Sequence, residues 1–514
     1  MKSKYPDWVI RYKRKGTAIH KIGNNYYLYG AVAKWQIWRF LQKIILIFQR
    51  LFVRGITKRA ILQQRLYEVT SRWDRKLKRA KKITKSYLGV ITPEGIKEPG
   101  YKRNRPTTVK EYGAVFLLLE QNKDIIEGLK KYFPHRWKEI LVSSLLRVMY
   151  KLPFKHMKLQ YEDSWISQEI KDVKLDEKSL HTFLEEVGKD RRSIVEFLKS
   201  FIKGGEALLI DLTHIFPLSE NMLLAAKGYN SELDFTPQVN LLFMFSSGKR
   251  LPLFYRILPG NVRDVSSLKA TIKESRIKDV IIITDKGFYS QGNLNLLERE
   301  KLNFILPLRR NNSLIDYEVI RSGDKKRFEG YFKFKGMFIW YYNCGKEDLP
   351  VWVFLDERLK VKEQEEYLTK IETHPEFNYT IEDFHKNLFS FGTISVITNL
   401  KNLSAKKIFE YFKSRGEIEV MFDTFKNILK ADRSYMRTDA SMESWMFINY
   451  LALTYHYKIY HLLTQQDLLS KYSPSDVLLY LSKYRKVKIS SHWLSLEIPK
   501  QTRKLMEKLN LHIT

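Results

Sequence analysis

The stretch "VIIITDKGF" (Val280–Phe288) decides the architecture. Val280, Ile281, Ile282 and Ile283 form an unbroken β-branched run with no polar alternation, the pattern of a strand covered on both faces in the middle of a sheet. Such a strand needs a layer above and a layer below, so the chain is read as α/β. Outward from it the same signals recur. "ALLIDLTHIF" (Ala207–Phe216) is a second apolar strand. "NLLFMFSS" (Asn240–Ser247) and "LPLFYRILPGN" (Leu251–Asn261) form a hairpin about Gly248-Lys249-Arg250. A helix is predicted over Val265–Ser275, another over Ser290–Leu302, and a further strand at "FILPL" (Phe304–Leu308).

Asp211 and Asp285 occupy equivalent places, each near the C-terminal end of a strongly apolar strand. In α/β sheets ligands bind beyond the carboxyl ends of strands, and an aspartate in apolar surroundings needs a partner. A divalent cation would be one partner; a strand-end cap is the other reading of either aspartate alone. The third piece lies in "AKKIFEYFKSRGEIEVMFDTFKNIL" (Ala405–Leu429), read as one helix. Arg415, Glu419, Phe422 and Lys426 are spaced to share a stripe of that helix. An ordinary surface ion-pair ladder has the same spacing, but Phe412, Ile418, Met421, Phe422 and Phe425 make the helix apolar enough to pack on a core. Three carboxylates with Arg and Lys beside them suit phosphoryl transfer: hard oxygen ligands bind Mg²⁺ or Mn²⁺, and two such ions can serve the attacking and departing oxygens. His214 and His385 read as structural or surface histidines. No Gly-rich phosphate loop ending in Lys-Ser or Lys-Thr is present, so ATP chemistry is unsupported.

Composition agrees with a polyanionic partner. The 514 residues hold 90 Lys and Arg against 57 acids, a formal charge of +33, and phosphates attract such a surface through a long-range, salt-sensitive term. Apolar residues at 44% and aromatics at 14% supply cores for several domains. Cys344 is the single cysteine, which leaves no intrachain disulfide and suits a reducing compartment. Met1–Trp8 lacks the apolar run of a signal peptide, and the oily stretch Ile44–Phe48 is far short of a bilayer span.

Residues 1–105 read as a basic module. "SRWDRKLKRAKKITKS" (Ser71–Ser86) holds eight Lys or Arg and one acid, between strand-like Leu66–Thr70 and Tyr87–Ile91. This predicts a hairpin with a cationic tip, closed by Pro93-Glu94-Gly95. Residues 31–65 carry eight Lys or Arg, no acid and the run "WQIWRFLQKIILIFQRLF". Alone they read as a basic amphipathic helix suited to an anionic membrane surface. The echo between "YYLYG" (Tyr26–Gly30) and "RLYEV" (Arg65–Val69) favours an insertion over about 30–65 in an older module. Residues 106–202 are read as helical, with helices over Ala114–Phe133 and Arg136–Tyr150 and a pair within Ser179–Ile202 broken near Gly188, Asp190 capping the second. That region is read as DNA-binding, with a plain scaffold as the alternative.

These motifs resemble a known pattern. "YFKSRGEIEVMFDTFKNIL" is similar to the signature around the last catalytic residue of the IS4-type DDE transposases: an aromatic, two residues, Arg, three residues, Glu, six residues, Lys. It maps onto Phe412, Arg415, Glu419 and Lys426. The family usually has Tyr at the first place; here Phe412 stands there with Tyr411 adjacent. "LLIDLTHI" resembles the first aspartate motif, assigning Asp211, and "VIIITDKGFYS" the second, assigning Asp285 with Lys286 beside it. "PGNVRD" (Pro259–Asp264) resembles a segment between them, where Asn261 and Asp264 shape a turn. The N-terminal segments are similar to the IS1634-like branch.

The resemblance implies a ribonuclease-H-like catalytic core interrupted by a β-rich insertion, preceded by a mainly helical N-terminal DNA-binding region and closed by a helical C-terminal tail. The core's first part is set at 203–308, the insertion at 309–399, the second part at 400–465 and the tail at 466–514. It implies catalytic, metal-holding Asp211, Asp285 and Glu419. It also implies DNA or phosphate contacts at Arg415, Lys426, Lys286 and Tyr411, and two Mg²⁺ or Mn²⁺ ions. The implied partners are double-stranded DNA, both the element's terminal inverted repeats and target DNA, with a homo-oligomer in the DNA complex, in the cytoplasm on the nucleoid and with no membrane. The implied reaction is phosphodiester hydrolysis at the element's ends, then transfer of the 3′-OH into target DNA. A structure-specific nuclease without strand transfer and an inactive DNA-binding derivative are the alternatives.

Overall fold

A computed structural model describes residues 10, 17–22, 25–30, 64–74, 79–92, 95–97, 106–219, 222–228, 236–262, 264–373, 379–489 and 492–511. They divide into two compact units, one of Met1–Thr107 with Lys488–His492 and one of Thr108–Val487 with Trp493–Thr514.

In the first unit β1 (Thr17–Ile22), β2 (Asn25–Gly30), β3 (Gln64–Asp74), β4 (Arg79–Thr92) and β5 (Gly95–Lys97) form one sheet in that order. The β3–β4 hairpin is longer than expected. It runs in antiparallel register from Gln64↔Ile91 to Asp74↔Arg79, with two register shifts. Much of the basic run is therefore strand; residues 75–78, where the tip was expected, lie outside the described residues. The two echoing stretches lie side by side, β2 pairing with β3 in parallel through Leu28↔Glu68 and Tyr29↔Val69. Residues 31–63, on which the insertion and amphipathic-helix readings fall, and Pro93-Glu94 also lie outside the described residues.

After β6 (Pro106–Glu111) come helices Gly113–Gln121, Lys123–Tyr132, Trp137–Tyr150, Met157–Asp163, Ile166–Glu169, Glu177–Lys189 and Arg191–Lys199. The helix expected over Ala114–Phe133 is broken at buried Asn122, whose Nδ2 donates to the Leu118 carbonyl at 2.7 Å. A side chain that takes the carbonyl four residues back competes with the helix itself. The break expected near Gly188 falls at Asp190. Asp190 caps the following helix by accepting from the Ser193 N–H at 3.1 Å. Gly188 lies inside its helix, where a Cβ would stand 1.7 Å from the Ala440 carbonyl oxygen. Only glycine lets this helix approach the long helix Asp439–Gln465 so closely.

The main sheet is built from β7 (Ala207–Pro217), β8 (Ala226–Lys227), β9 (Pro237–Ser246), β10 (Leu251–Pro259), β11 (Ile281–Thr284), β12 (Asn303–Pro307), β13 (Gly330–Phe334), β14 (Met337–Asn343), β15 (Val351–Asp356), β16 (Thr393–Thr398) and β17 (Arg433–Ser434). Its order is β10-β9-β7-β11-β12-β16-β15-β14-β13, with β8 on β9 and β17 on β7. β11 lies parallel between β7 and β12, while β9 is antiparallel to β7 and β10. A mixed sheet in this order, flanked by helices, is consistent with a ribonuclease-H-like fold. The strands of 309–399 extend the same sheet, since β12 pairs with β16 through Ile305↔Thr398 and Leu306↔Ile397. That pairing covers the backbone edge β12 would otherwise expose.

The 27-residue helix Asp439–Gln465 is the spine of this unit, buried along most of its length. Arg191 ties the helical segment to it and to the sheet. Its guanidinium pairs with Glu274 and Glu443 at 2.9 Å each and donates to the Tyr255 carbonyl. The tail departs from the all-helical expectation. Between helices Pro474–Leu481 and Lys500–Lys508 lie β18 (Arg485–Ile489) and β19 (His492–Ser495), in a small sheet of order β19-β18-β6. "RKVKI" alternates basic and β-branched residues with the period of a strand. Among the described residues no helix is long and apolar enough to cross a membrane.

Candidate active site

The first two carboxylates are placed by strand register. Leu208, Leu209 and Ile210 are fully buried, as are Ile282, Ile283 and Thr284, so β7 and β11 are fixed in the core. Ile210 pairs with Thr284 in parallel. The next residues are Asp211, within β7, and Asp285, the first residue past β11, so the two aspartates follow directly on paired residues of strands that run about 4.8 Å apart. Asp211 is opposite Phe243 on β9, and directly opposed residues project on the same face. Phe243 packs on Phe422 and Phe425, with ring centroids 5.8 and 5.6 Å apart. Asp211 therefore faces the side of the sheet covered by the segment that carries Glu419. Its Oδ1 accepts from the Leu212 N–H at 2.8 Å.

Strand β11 is shorter than its apolar run suggests and ends before Asp285. Lys286–Phe288 is a 3₁₀ turn with Phe288 buried as its anchor. Asn293 donates to the Phe288 carbonyl at 2.8 Å, and Ser290 caps helix Gln291–Arg299 through the Asn293 N–H. Asp285, held by this stapled turn, turns its carboxylate to Arg415: Nη1 donates to Oδ1 at 2.6 Å.

The segment expected as one helix over Ala405–Leu429 is three pieces. Helix Ala405–Lys413 ends at Ser414, whose hydroxyl donates to the Tyr411 carbonyl. Arg415 stands at the head of helix Gly416–Asp423, and Thr424–Ile428 is a π-turn. Lys426 lies inside that turn, whose pitch differs from that of the α-helix carrying Glu419. π-turns are rare and recur at functional sites. Within the stripe, Arg415 Nη2 lies 3.4 Å from Glu419 Oε1, so one guanidinium spans Asp285 and Glu419. The Glu419 side chain is 60% exposed, whereas Ile418, Met421 and Phe425 are fully buried. Glu419 thus stands on the solvent side of a well-anchored turn.

The remaining expected contacts lie around this corner. Lys286 is exposed and lines an open cleft of about 530 Å³ with Tyr289, Arg309, Asn311 and Asn312. Tyr411 lies under Lys407, at 5.0 Å from ring centroid to Nζ, while Arg415 lies over Phe412 at 5.9 Å. The ring that supports Arg415 is thus Phe412, the residue at the aromatic place of the motif. Among the described residues no three His, Cys, Asp or Glu side chains are close enough together to hold a metal ion. The structure brings Asp285 and Glu419 to one cation and leaves Asp211 on the adjoining strand, not at its end as expected but midway along β7, which stays paired with β9 as far as Ile215; the three are not closed into one coordination sphere. The donor set still fits a hard divalent cation, for it is all carboxylate and two of its members already flank a positive group.

Two further residues shape the corner and escaped the sequence reading. Lys413 is half-buried, and its ammonium pKa is pushed down by burial, raised by Asp356 and lowered again by Arg415 and Lys335. Arg147, on helix Trp137–Tyr150, is buried. It donates to the carbonyls of Leu429 at 2.6 Å and Lys430 at 2.9 Å, where the π-turn ends, and to Asn449 Oδ1 at 2.7 Å. Burial lowers its pKa to about 10. Its signal was visible as the one charge inside the apolar run "ILVSSLLRVMY".

Residues 206–455 match the family model described as Transposase DDE domain. The chain thus carries a DDE-type transposase domain, covering β7 through most of the long helix. Among solved structures it is similar to a piggyBac transposase in a synaptic complex with hairpin DNA. That likeness has 14% identity and a TM-score of 0.38, over 67% of this chain and 70% of that one. It is also similar to a Mos1 transposase in a paired-end complex with the left transposon end, at 12% identity and a TM-score of 0.14, over 30% of this chain and 53% of that one. No curated protein matches the chain.

Proposed function

We propose that this chain is a DNA transposase of the IS4 type, IS1634-like branch. It cuts phosphodiesters at the ends of its element and joins the freed 3′-OH to target DNA. The observation that carries this reading is the Arg415 guanidinium shared by Asp285 and Glu419, with Asp211 in register on the next strand of a DDE-type domain.

Asp211, Asp285 and Glu419 are the catalytic carboxylates and hold the metal. Two Mg²⁺ or Mn²⁺ ions, when bound, supply Lewis acidity to the attacking and departing oxygens. Asp211, midway along β7, and Asp285, just past the end of β11, present their oxygens from backbone locked in the core. Glu419, exposed on its turn, closes the set by side-chain rotation. Arg415 then exchanges the carboxylates for non-bridging phosphate oxygens, a bidentate match for its planar fork. Lys286 and Lys426 neutralise flanking phosphates, and Tyr411 adds a contact beside them. The partners are the terminal inverted repeats and target DNA, held by a homo-oligomer, in the cytoplasm on the nucleoid.

The test uses purified chain, Mg²⁺, donor DNA with the element's 3′-OH ends and a supercoiled target plasmid. Joined products that vanish in Asp285→Asn and Glu419→Gln are expected. Nicked products alone would reduce the enzyme to a nuclease. Wild-type protein that binds its ends without cutting them would be a DNA-binding derivative.

A further inference from the structure

The β13–β14 hairpin exposes side chains that the site above does not use. Tyr331 and Phe338 are 59% and 57% exposed. The register Tyr331↔Trp340 and Lys333↔Phe338 puts these four residues on one face. Tyr331 contacts Phe338 and Trp340, with ring centroids 5.9 and 5.1 Å apart. The opposite face is core, where Phe332 and Phe334 pack on Phe409 at 5.4 and 5.2 Å. Lys333 and Lys335 are exposed along this hairpin, and Lys325 lies 5.1 Å over the Trp340 ring. β13 is the last strand of the sheet. Lysines alone are a common protection of such an edge. Two exposed, touching aromatic rings act against that protection and call for an occupant.

Strand directions place the hairpin with the active site. β11 and β12 are parallel, and each following pair out to β13 is antiparallel. β13 therefore runs in the same direction as β11. Its C-terminal end, with the tight turn Lys335-Gly336 (φ 46° and 83°), lies on the sheet edge that carries Asp285. Lys335 and Arg415 are both near enough to Lys413 to repel its charge, so cationic groups continue along this edge from Arg415 to the hairpin. Five strand spacings separate β11 from β13, about 24 Å, or about seven nucleotides of a strand.

We propose that the β13–β14 hairpin binds unpaired DNA bases, which stack on Tyr331 and Phe338 while Lys333 and Lys335 meet the adjoining phosphates. Aromatic platforms flanked by cations bind single strands without sequence preference, because every base offers a π-face. The strand's identity rests on the transposase reading, but the contact itself does not, and it can be measured without metal or cleavage.

The experiment is fluorescence-anisotropy binding of the full chain in EDTA to a blunt duplex and to the same duplex bearing a single-stranded extension of about ten nucleotides. Stacking of one or two bases predicts that the wild type prefers the extended duplex by about tenfold or more. Tyr331→Ala/Phe338→Ala should lose that preference and keep its affinity for blunt duplex, while Tyr331→Phe/Phe338→Tyr should retain it. Tyr331→Leu/Phe338→Leu keeps the bulk without the π-face and serves if the alanine pair is unstable. Lys333→Gln/Lys335→Gln should weaken binding to the extended duplex and flatten its salt dependence. Equal losses on both DNAs, an unchanged preference in the leucine pair, or a change confined to self-association in sedimentation would overturn the proposal. Failure of strand transfer with the preference intact would count against the transposase reading alone.

Discussion

Arg415 joins Asp285 and Glu419 through a single guanidinium, at 2.6 Å to the first and 3.4 Å to the second. A positive group thus stands between the two carboxylates proposed to hold a dication, with which it would compete. The pair is partly exposed, so its worth is discounted to about 1 kcal/mol, or about fivefold in an equilibrium constant. Arg415→Gln is expected to bind Mn²⁺ about fivefold more tightly in the absence of DNA, read by electron paramagnetic resonance of free Mn²⁺. Equal or weaker binding would show that Arg415 does not guard the site.

Lys286 and Lys426 are proposed to meet phosphates rather than bases. Replacing either with Gln should weaken binding to all DNA sequences alike. It should also lower the slope of log affinity against log salt by about one per lysine. A loss confined to one sequence would move that lysine to base recognition.

The buried Arg147 holds the end of the π-turn from the helical segment. Arg147→Met leaves the Leu429 and Lys430 carbonyls without this donor, at about 1–3 kcal/mol for each unsatisfied group. A fall in the denaturation midpoint and a smaller loss in Arg147→Lys are expected. A variant as stable as the wild type would remove Arg147 from the account.

His456 is buried, and desolvation with a smaller push from Lys151 lowers its pKa from 6.5 to about 4. The unfolded chain binds this proton below pH 6.5 and the folded chain only below about 4. Stability is therefore retained at neutral pH and lost as pH falls through that window, by about 2 kcal/mol at pH 5. His456→Phe should show a smaller drop in thermal midpoint between pH 7 and pH 5. An identical drop would place the acid sensitivity elsewhere.

Much of the central sheet was legible in the sequence because its strands are continuous β-branched and aromatic runs. Ala207–Phe216, the 240–261 hairpin and Phe304–Leu308 all lie where the sequence puts them, within a few residues. Asp211 and Asp285 stood out for the same reason, as charges ending apolar runs. The helix of Glu419 was legible as a helix but not as three pieces. The π-turn depends on tertiary contacts such as the Arg147 clamp, and those join residues about 280 apart in sequence. The strands of the tail were missed because "RKVKI" is short and finds its sheet partner at β6, at the other end of the unit.

The most direct measurement is an anomalous difference map from crystals of the full chain grown with Mn²⁺. If the three carboxylates hold the metal, a peak lies about 2.1 Å from carboxylate oxygens of both Asp211 and Asp285, with Arg415 turned away and Glu419 swung towards the ion. Mn²⁺ bound elsewhere, or bound to one aspartate while Arg415 still holds Asp285, would contradict it.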